Sequence, residues 1–390
     1  MLQQKQMLFA KLRSYVGVSQ IVALLLLLVF LVQCLWFMAH VPLSALEASY
    51  IESGLLHLEH LSNASSMERS ALVPLLAGIA ARFSGAEKRI VHLSAYRFVI
   101  RLPFLLAGFL LGASLWYVAR RLYGNVGGYI ALGLYSFSPV MIAWSSQVGP
   151  GIVGAWGGFG LIFTAIAVAH TLYAPREVVL WNWRRILLMG LSIAICVGAQ
   201  FSLWVLLVPA LAFMLWVGHV RPVAALTIFA AACVTGLLLL WAVYGFRPVA
   251  FGMALRNADW LEVSADDPSW RAASSLFANF FLQNGIGLVL LLAVTLITFA
   301  AWKRARFFGT AAPLIVGVIL VVLAARTQFA GVTFLLAGLP FLILFMAGIS
   351  TDLLEGRFAL AANTVIGGVL IANAMIDVYG LVHLTSRSPR

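Results

Sequence analysis

Charged side chains are scarce in this chain of 390 residues. Asp, Glu, Lys and Arg make up 10% of it and hydrophobic residues 63%, whereas an ordinary soluble domain is about 25% charged and about 45–50% apolar. Apolar runs recur along the whole sequence, and a run of about 20 such residues crosses a bilayer as a helix. The shortage of charge therefore excludes an ordinary soluble domain and predicts an all-α, polytopic membrane bundle.

Cysteine is also scarce. Cys34, Cys196 and Cys233 each lie inside an apolar run without the spacing of metal ligands, which argues against a disulfide framework or a zinc site. The net charge of +12 comes from short basic clusters between the runs, where such residues set membrane orientation. We therefore expect the lipid bilayer, and no nucleic acid, as a partner.

About 11 spans are predicted within a single membrane domain over residues 1–390. They cover residues 15–39, 98–119, 126–145, 151–173, 186–201, 202–219, 222–245, 284–302, 310–325, 330–349 and 358–381. Polar Gln200 and Ser202 suggest that the two short spans at 186–219 form one broken helix pair. The first span is too long for a signal-peptide core, so we expect it to be retained.

The basic clusters fall on one side if the N-terminus is cytoplasmic. Two long loops, residues 40–97 and 246–283, then lie outside. We expect an integral protein of a bacterial inner membrane with periplasmic loops. The first loop reads as two surface helices, one with the stripe Ala48, Ile51, Leu55 and Leu58, and one over residues 71–83. Glu47, Tyr50 and Gly54 share another face of the first helix.

Several motifs occur in a fixed order along the chain. They are Arg-Leu-Pro at 101–103, Ala-Arg-Arg-Leu-Tyr-Gly at 119–124 and Ser-Pro at 138–139. In this order the chain resembles the GT-C class of integral-membrane glycosyltransferases, especially relatives of the dolichyl-phosphate-mannose-type protein mannosyltransferases. The resemblance covers about residues 43–247, with a weaker echo at 333–345. It implies transfer of a sugar from a polyprenyl-phosphate donor to an acceptor at the outer membrane face.

Such a transfer needs a carboxylate to take the proton of the acceptor hydroxyl and positive charge near the leaving phosphate. The prenyl tail needs an apolar groove. The resemblance makes Glu47 the candidate catalytic base. Candidate substrate-binding residues are Tyr50, Arg101, Gln147, Arg326 and Asp377. A divalent cation is compatible with this chemistry, but no motif indicates one, so no cofactor is named; the sequence does not specify the acceptor.

Three departures from the family pattern keep other functions open. The family's Asp-Glu-Ala-x-Tyr motif has Asp as the base, and here that position is Leu46. The stretch at 145–150 lacks the family's acid and arginine, and Thr333 replaces an arginine expected to meet phosphate. The second hypothesis is a catalytically silent GT-C scaffold that binds a lipid carrier or a partner. A third is a transporter of lipid-linked sugar. Transporters often bind their substrates at interrupted helices, and Gln200 and Ser202 lie at such a predicted interruption.

Each candidate residue also has a structural interpretation. Glu47 could cap its helix or pair with Arg101, while Arg101 and Arg326 could be interfacial anchors. Asp377 lies near the outer end of the last span, where an ionisable group is either functional or reaches headgroup water. His57 and His60 flank Glu59 but are interpreted as polar surface residues rather than metal ligands.

Overall fold

A computed structural model describes residues 18–59, 70–85, 96–173, 183–258, 274–275, 277–280, 286–301, 308–327, 331–356 and 359–387. Its principal elements are α1 Val18–His40, α2 Ala45–Glu59, α3 Leu72–Phe83, α4 Arg97–Ser136, α5 Pro139–Ser145, α6 Pro150–Thr171, α7 Trp183–Ala199, a 3-10 helix Phe201–Leu206, α8 Leu207–Val217, α9 Pro222–Val243, α10 Pro248–Arg256, α11 Ile286–Ala301, α12 Phe308–Arg326, α13 Gly331–Leu354 and α14 Ala359–Arg387. The prediction of an all-α bundle is confirmed.

Seven of the described helices are long and apolar enough to cross a membrane, namely α1, α4, α6, α9, α12, α13 and α14. Shorter apolar helices include α11 and the continuous stretch formed by the 3-10 helix and α8. This number is smaller than the 11 predicted spans, partly because α4 contains one predicted span and most of the next.

The α4 helix changes direction at Gly124. This residue has φ +78° and ψ −173°, a conformation that glycine adopts without the steric cost that a Cβ imposes. It divides the predicted spans at 98–119 and 126–145. The second of these is broken again after Ser136, where the Ser138 hydroxyl accepts a hydrogen bond from Met141 N and Pro139 begins α5. Proline at a first helical position loses no intrahelical hydrogen bond.

The predicted broken pair at residues 186–219 is present. The α7 helix ends at Ala199, Gln200 has an extended backbone with φ −155°, and the 3-10 helix follows directly. The Gln200 carbonyl accepts a hydrogen bond from Leu203 N at 3.0 Å. The polar residues at this junction therefore mark a real interruption of the helix.

The central element is α13, of which 94% of the most apolar window is buried. It is apolar on all sides, as expected of a helix enclosed by others, and it packs against α4, α6 and α12. Phe341 of α13 lies 5.4 Å from Phe159 and 6.0 Å from Phe163 between ring centroids, and both partners belong to α6. This core holds the first turn of α13 beside the first turn of α6.

The two loop helices, α2 and α3, pack closely on each other, which the prediction of helices lying on a membrane surface did not anticipate. Ile51, Gly54 and Leu55 are all buried, so the apolar stripe and the neighbouring face together form the contact. The crossing point is glycine against glycine: a Cβ on Gly54 would overlap the Pro74 carbonyl, and one on Gly78 would overlap Gly54.

Replacing Gly54 by alanine is expected to destabilise the protein by about 1–3 kcal/mol, because the added methyl meets backbone atoms that cannot rotate away. Thermal unfolding in detergent measures the loss. The matched control is Gly252→Ala in α10, where a Cβ would meet nothing within 4 Å. That change should be neutral or slightly stabilising, because alanine favours helix. Equal melting temperatures for the Gly54 and Gly252 variants would contradict this packing.

Candidate active site

The N-terminus of α2 is fixed by a reciprocal pair of hydrogen bonds between Ser44 and Glu47. The Glu47 amide donates to Ser44 Oγ at 3.2 Å, and the Ser44 amide donates to Glu47 Oε2 at 2.8 Å. Serine followed three residues later by glutamate forms such a capping box and satisfies two amide groups at the helix end. Local sequence alone therefore places the Glu47 carboxylate at the start of α2.

Arg101, in the second turn of α4, meets this carboxylate. Its Nε donates to Glu47 Oε1 at 2.8 Å and its Nη2 to Glu47 Oε2 at 2.8 Å, which is the bidentate geometry that arginine and carboxylate favour. The remaining contacts are with backbone: Nη1 donates to the Val41 carbonyl at 2.8 Å and Nη2 to the Pro42 carbonyl at 2.9 Å. The Arg101 side chain is fully buried and that of Glu47 is 3% exposed.

A third segment reaches the same carboxylate. The Val148 amide, in the turn between α5 and α6, donates to Glu47 Oε1 at 2.9 Å. Each oxygen of Glu47 thus accepts two hydrogen bonds, one from Arg101 and one from a backbone amide. The carboxylate joins α2, α4 and the α5–α6 turn.

This environment keeps Glu47 ionised. Burial raises the pKa of its carboxyl group, but the hydrogen bonds from Arg101 and from the Ser44 and Val148 amides, together with the Arg101 charge, lower it. The net effect is a pKa below the ordinary value of glutamate. An ionised carboxylate is in the correct state to accept a proton, although a low pKa makes it a weaker base.

The structure brings only some of the sequence-predicted residues to this point. Gln147, which is half-buried, adjoins Val148, and Tyr50 is half-buried in the α2 contact with the core. Leu46, which occupies the family's Asp position, is 52% exposed. Thr333 is buried in the first turn of α13, beside Gly154 of α6.

Arg326 and Asp377 belong to two other helices, α12 and α14. Arg326 ends α12 and is exposed. Asp377 is buried within α14, where the Gln33 amide, oriented by its partners, donates to Asp377 Oδ2 at 2.9 Å and to the Ser136 carbonyl at 2.9 Å. No described hydrogen bond joins Arg326 or Asp377 to Glu47. Asp377 is buried, so its carboxyl group contacts Gln33 of α1 rather than headgroup water.

Sequence reasoning missed four contributors to the cluster: Ser44, Val41, Pro42 and Val148. The Ser-x-x-Glu spacing could have revealed Ser44, because it is the signature of a capping box. The other three act through backbone groups, which leave no side-chain signal in a sequence.

Of the two histidines that flank Glu59, the structure describes His57. His57 Nε2 contacts the Val243 carbonyl at 3.1 Å, and burial lowers its pKa, so its role here is to tie α2 to the end of α9. Among the described residues no three His, Cys, Asp or Glu side chains group as metal ligands. His60 and residues 259–273 of the second outer loop lie outside the described residues.

The fold is shared with solved membrane enzymes. ArnT from Cupriavidus metallidurans, bound to undecaprenyl phosphate, superposes with a TM-score of 0.62 at 12% identity over 94% of this chain and 75% of that one. The Archaeoglobus fulgidus oligosaccharyltransferase in its apo form gives 0.60 at 12% identity over 96% of this chain. At 12% identity these comparisons show a shared, GT-C-like fold.

Sequence comparison gives a match over part of the chain. The family described as dolichyl-phosphate-mannose-protein mannosyltransferase matches residues 90–245, a segment that begins before Arg101 and ends after α9. No curated protein matches the sequence. This chain spans 57% of the length of the Archaeoglobus fulgidus enzyme.

Proposed function

We propose that this protein is a membrane glycosyltransferase that transfers a sugar from a polyprenyl-phosphate-linked donor to an acceptor at the outer face of the membrane. The observation that carries the proposal is a buried, ionised carboxylate held where the α2 loop helix meets α4 and the α5–α6 turn, in a chain of GT-C fold. The fold neighbours include proteins solved with undecaprenyl phosphate and with dolichol-phosphate.

In the proposed reaction the acceptor oxygen bonds to the anomeric carbon of the sugar as the bond from that carbon to the phosphate oxygen breaks. The acceptor proton passes to Glu47, and the polyprenyl phosphate leaves with the electron pair of the broken bond. Glu47 must exchange one of its four hydrogen bonds for the acceptor hydroxyl. The Val148 amide is the replaceable donor, because it lies in a turn rather than in a helix.

The other roles follow from position. Arg101 holds Glu47 in place, since four of its N–H groups already donate within the protein. Arg326, exposed at the end of α12, is the proposed partner of the donor phosphate. Tyr50 and Gln147 are proposed to contact the substrates on either side of Glu47. In this proposal the α2–α3 end lies outside, and the N-terminus lies in the cytoplasm of a bacterial cell.

A second candidate function is a catalytically silent GT-C scaffold that binds a lipid carrier or a partner. The observation that favours it is the full occupancy of Glu47 by four donors, together with an exposed leucine at the family's Asp position. A carboxylate so engaged can serve purely to hold α2 against α4.

A transfer assay separates the two. Purified full-length protein in lipid nanodiscs is supplied with polyprenyl phosphates carrying different sugars and with a membrane extract as the source of acceptor. The enzyme hypothesis expects release of free polyprenyl phosphate in step with labelling of an acceptor. Tight binding of undecaprenyl phosphate with no release from any donor would overturn the enzyme and support the silent scaffold.

A further inference from the structure

A cavity of about 500 Å³ lies between α1, α5 and α14, apart from the Glu47 cluster. Its walls are apolar for the most part and include Phe37, Ile142, Trp144 and Ile376, and Asp377 contributes a carboxyl group. Cavities of this size that combine apolar walls with a few polar groups are typical ligand sites.

The carboxyl group of Asp377 is the acidic group in the wall of this cavity. The residue is 3% exposed, and the neutral amide of Gln33 donates a hydrogen bond to it. Among the described residues the ion pair found is that of Arg101 with Glu47, so no described cation meets Asp377. A carboxylate removed from water is costly unless a cation or further hydrogen-bond donors accompany it.

Two aromatic side chains stand at the same cavity. Phe37 lies one turn beyond Gln33 in α1, and Trp144 lies near the end of α5. Aromatic faces attract ammonium groups through the quadrupole of the ring, and the attraction grows when water is excluded. A carboxylate and two aromatic rings around one cavity are complementary to an ammonium group.

The cavity also borders the lipid-facing side of the bundle. Ile376 and Gly380 line it and are exposed on α14, a helix that can cross the membrane. A ligand can therefore approach from within the bilayer. Gln33 lies seven residues before the end of α1, or about 10 Å along the helix, so an ammonium group at this cavity sits inward of the helix end.

We propose that this cavity binds a lipid bearing a primary ammonium headgroup, with the ammonium at Asp377, Phe37 and Trp144 and the acyl chains along α14. This site is distinct from the proposed sugar-transfer site, and its occupancy does not depend on catalysis. Trp144 lies against Gly151 at the start of α6, and so the two sites share the α5–α6 segment.

The test uses the full-length protein in detergent, titrated with phosphatidylethanolamine or with phosphatidylglycerol of the same acyl chains, and native mass spectrometry counts the bound lipid. The expected result is that phosphatidylethanolamine binds about tenfold more tightly, as one charge-assisted hydrogen bond at a buried site provides. Asp377→Asn should remove most of this preference, and Phe37→Leu should weaken it.

Glu52→Gln is the control, because it removes an exposed carboxylate from α2 and should leave the preference unchanged. Melting temperatures establish that the variants are folded. If Asp377→Asn does not fold, the weaker preference of Phe37→Leu tests the proposal. Equal affinity of the wild type for the two lipids would overturn the proposal. So would a preference that survives both changes. Neither result bears on the release of polyprenyl phosphate, so this proposal and the enzyme can fail separately.

Discussion

Replacing Glu47 by glutamine is expected to slow sugar transfer by about 10²–10⁴-fold, the usual contribution of a general base. Glutamine keeps the size of the side chain and one carbonyl acceptor, so the loss should appear in kcat rather than in KM. The measurement is the initial rate of polyprenyl phosphate release. Because the pKa of Glu47 lies below its ordinary value, the wild-type rate should also stay level as the pH falls from neutral to about 5.

Glu52→Gln is the matched control for this experiment. Glu52 lies on the same helix but is exposed, so its replacement should leave the rate within a factor of about two, since surface changes rarely cost more than about 0.5 kcal/mol. Unchanged transfer by the Glu47→Gln variant would remove Glu47 from catalysis and leave it only the structural role that its hydrogen bonds show.

Replacing Arg101 by methionine is expected to destabilise the protein by about 3–5 kcal/mol, because it leaves the buried Glu47 carboxylate without its cation. Methionine has a similar volume, so the loss is mainly electrostatic. It also frees the Val41 and Pro42 carbonyls that Arg101 now engages. Unfolding in a denaturant series, with protein in detergent, measures the change.

The double variant Glu47→Gln/Arg101→Met isolates the charge. A neutral glutamine costs less to bury than an unpaired carboxylate, so the double variant should be more stable than Arg101→Met alone by at least about 1 kcal/mol, a coupling typical of residues in contact. Arg121→Met, an exposed change on the same helix, should cost less than about 0.5 kcal/mol. A double variant as unstable as the sum of its parts would contradict the pairing.

The sequence predicted the helical membrane bundle and most helix positions well, because long apolar runs have few other solutions in a bilayer. The first span, expected at 15–39, is α1 at Val18–His40, and the expected helix at 71–83 is α3 at Leu72–Phe83. The interruption near Gln200 was also predicted, since polar residues stood at the junction. The packing of α2 on α3 was not, because an amphipathic helix has the same pattern whether its apolar face meets lipid or another helix.

The candidate site was predictable only in part. Glu47 and Arg101 were both named from the resemblance, and an ion pair between them was one structural interpretation of Glu47. Their catalytic and substrate-binding roles remain predictions. The hydrogen bond from Val148 could not be foreseen, since its donor is a backbone amide 101 positions away.

By itself the sequence determined that this protein is a helical membrane protein, that two helices follow the first span, and that the chain is interrupted near Gln200. Each of these depends on residues close together, whose effects are local. The tertiary structure alone decided that Arg101 meets a carboxylate 54 positions away, that Val148 reaches it from 101 positions away, and that Asp377 faces Gln33 beside a cavity. Such contacts depend on how whole helices pack, and packing is set by the sum of many weak interactions rather than by any local pattern.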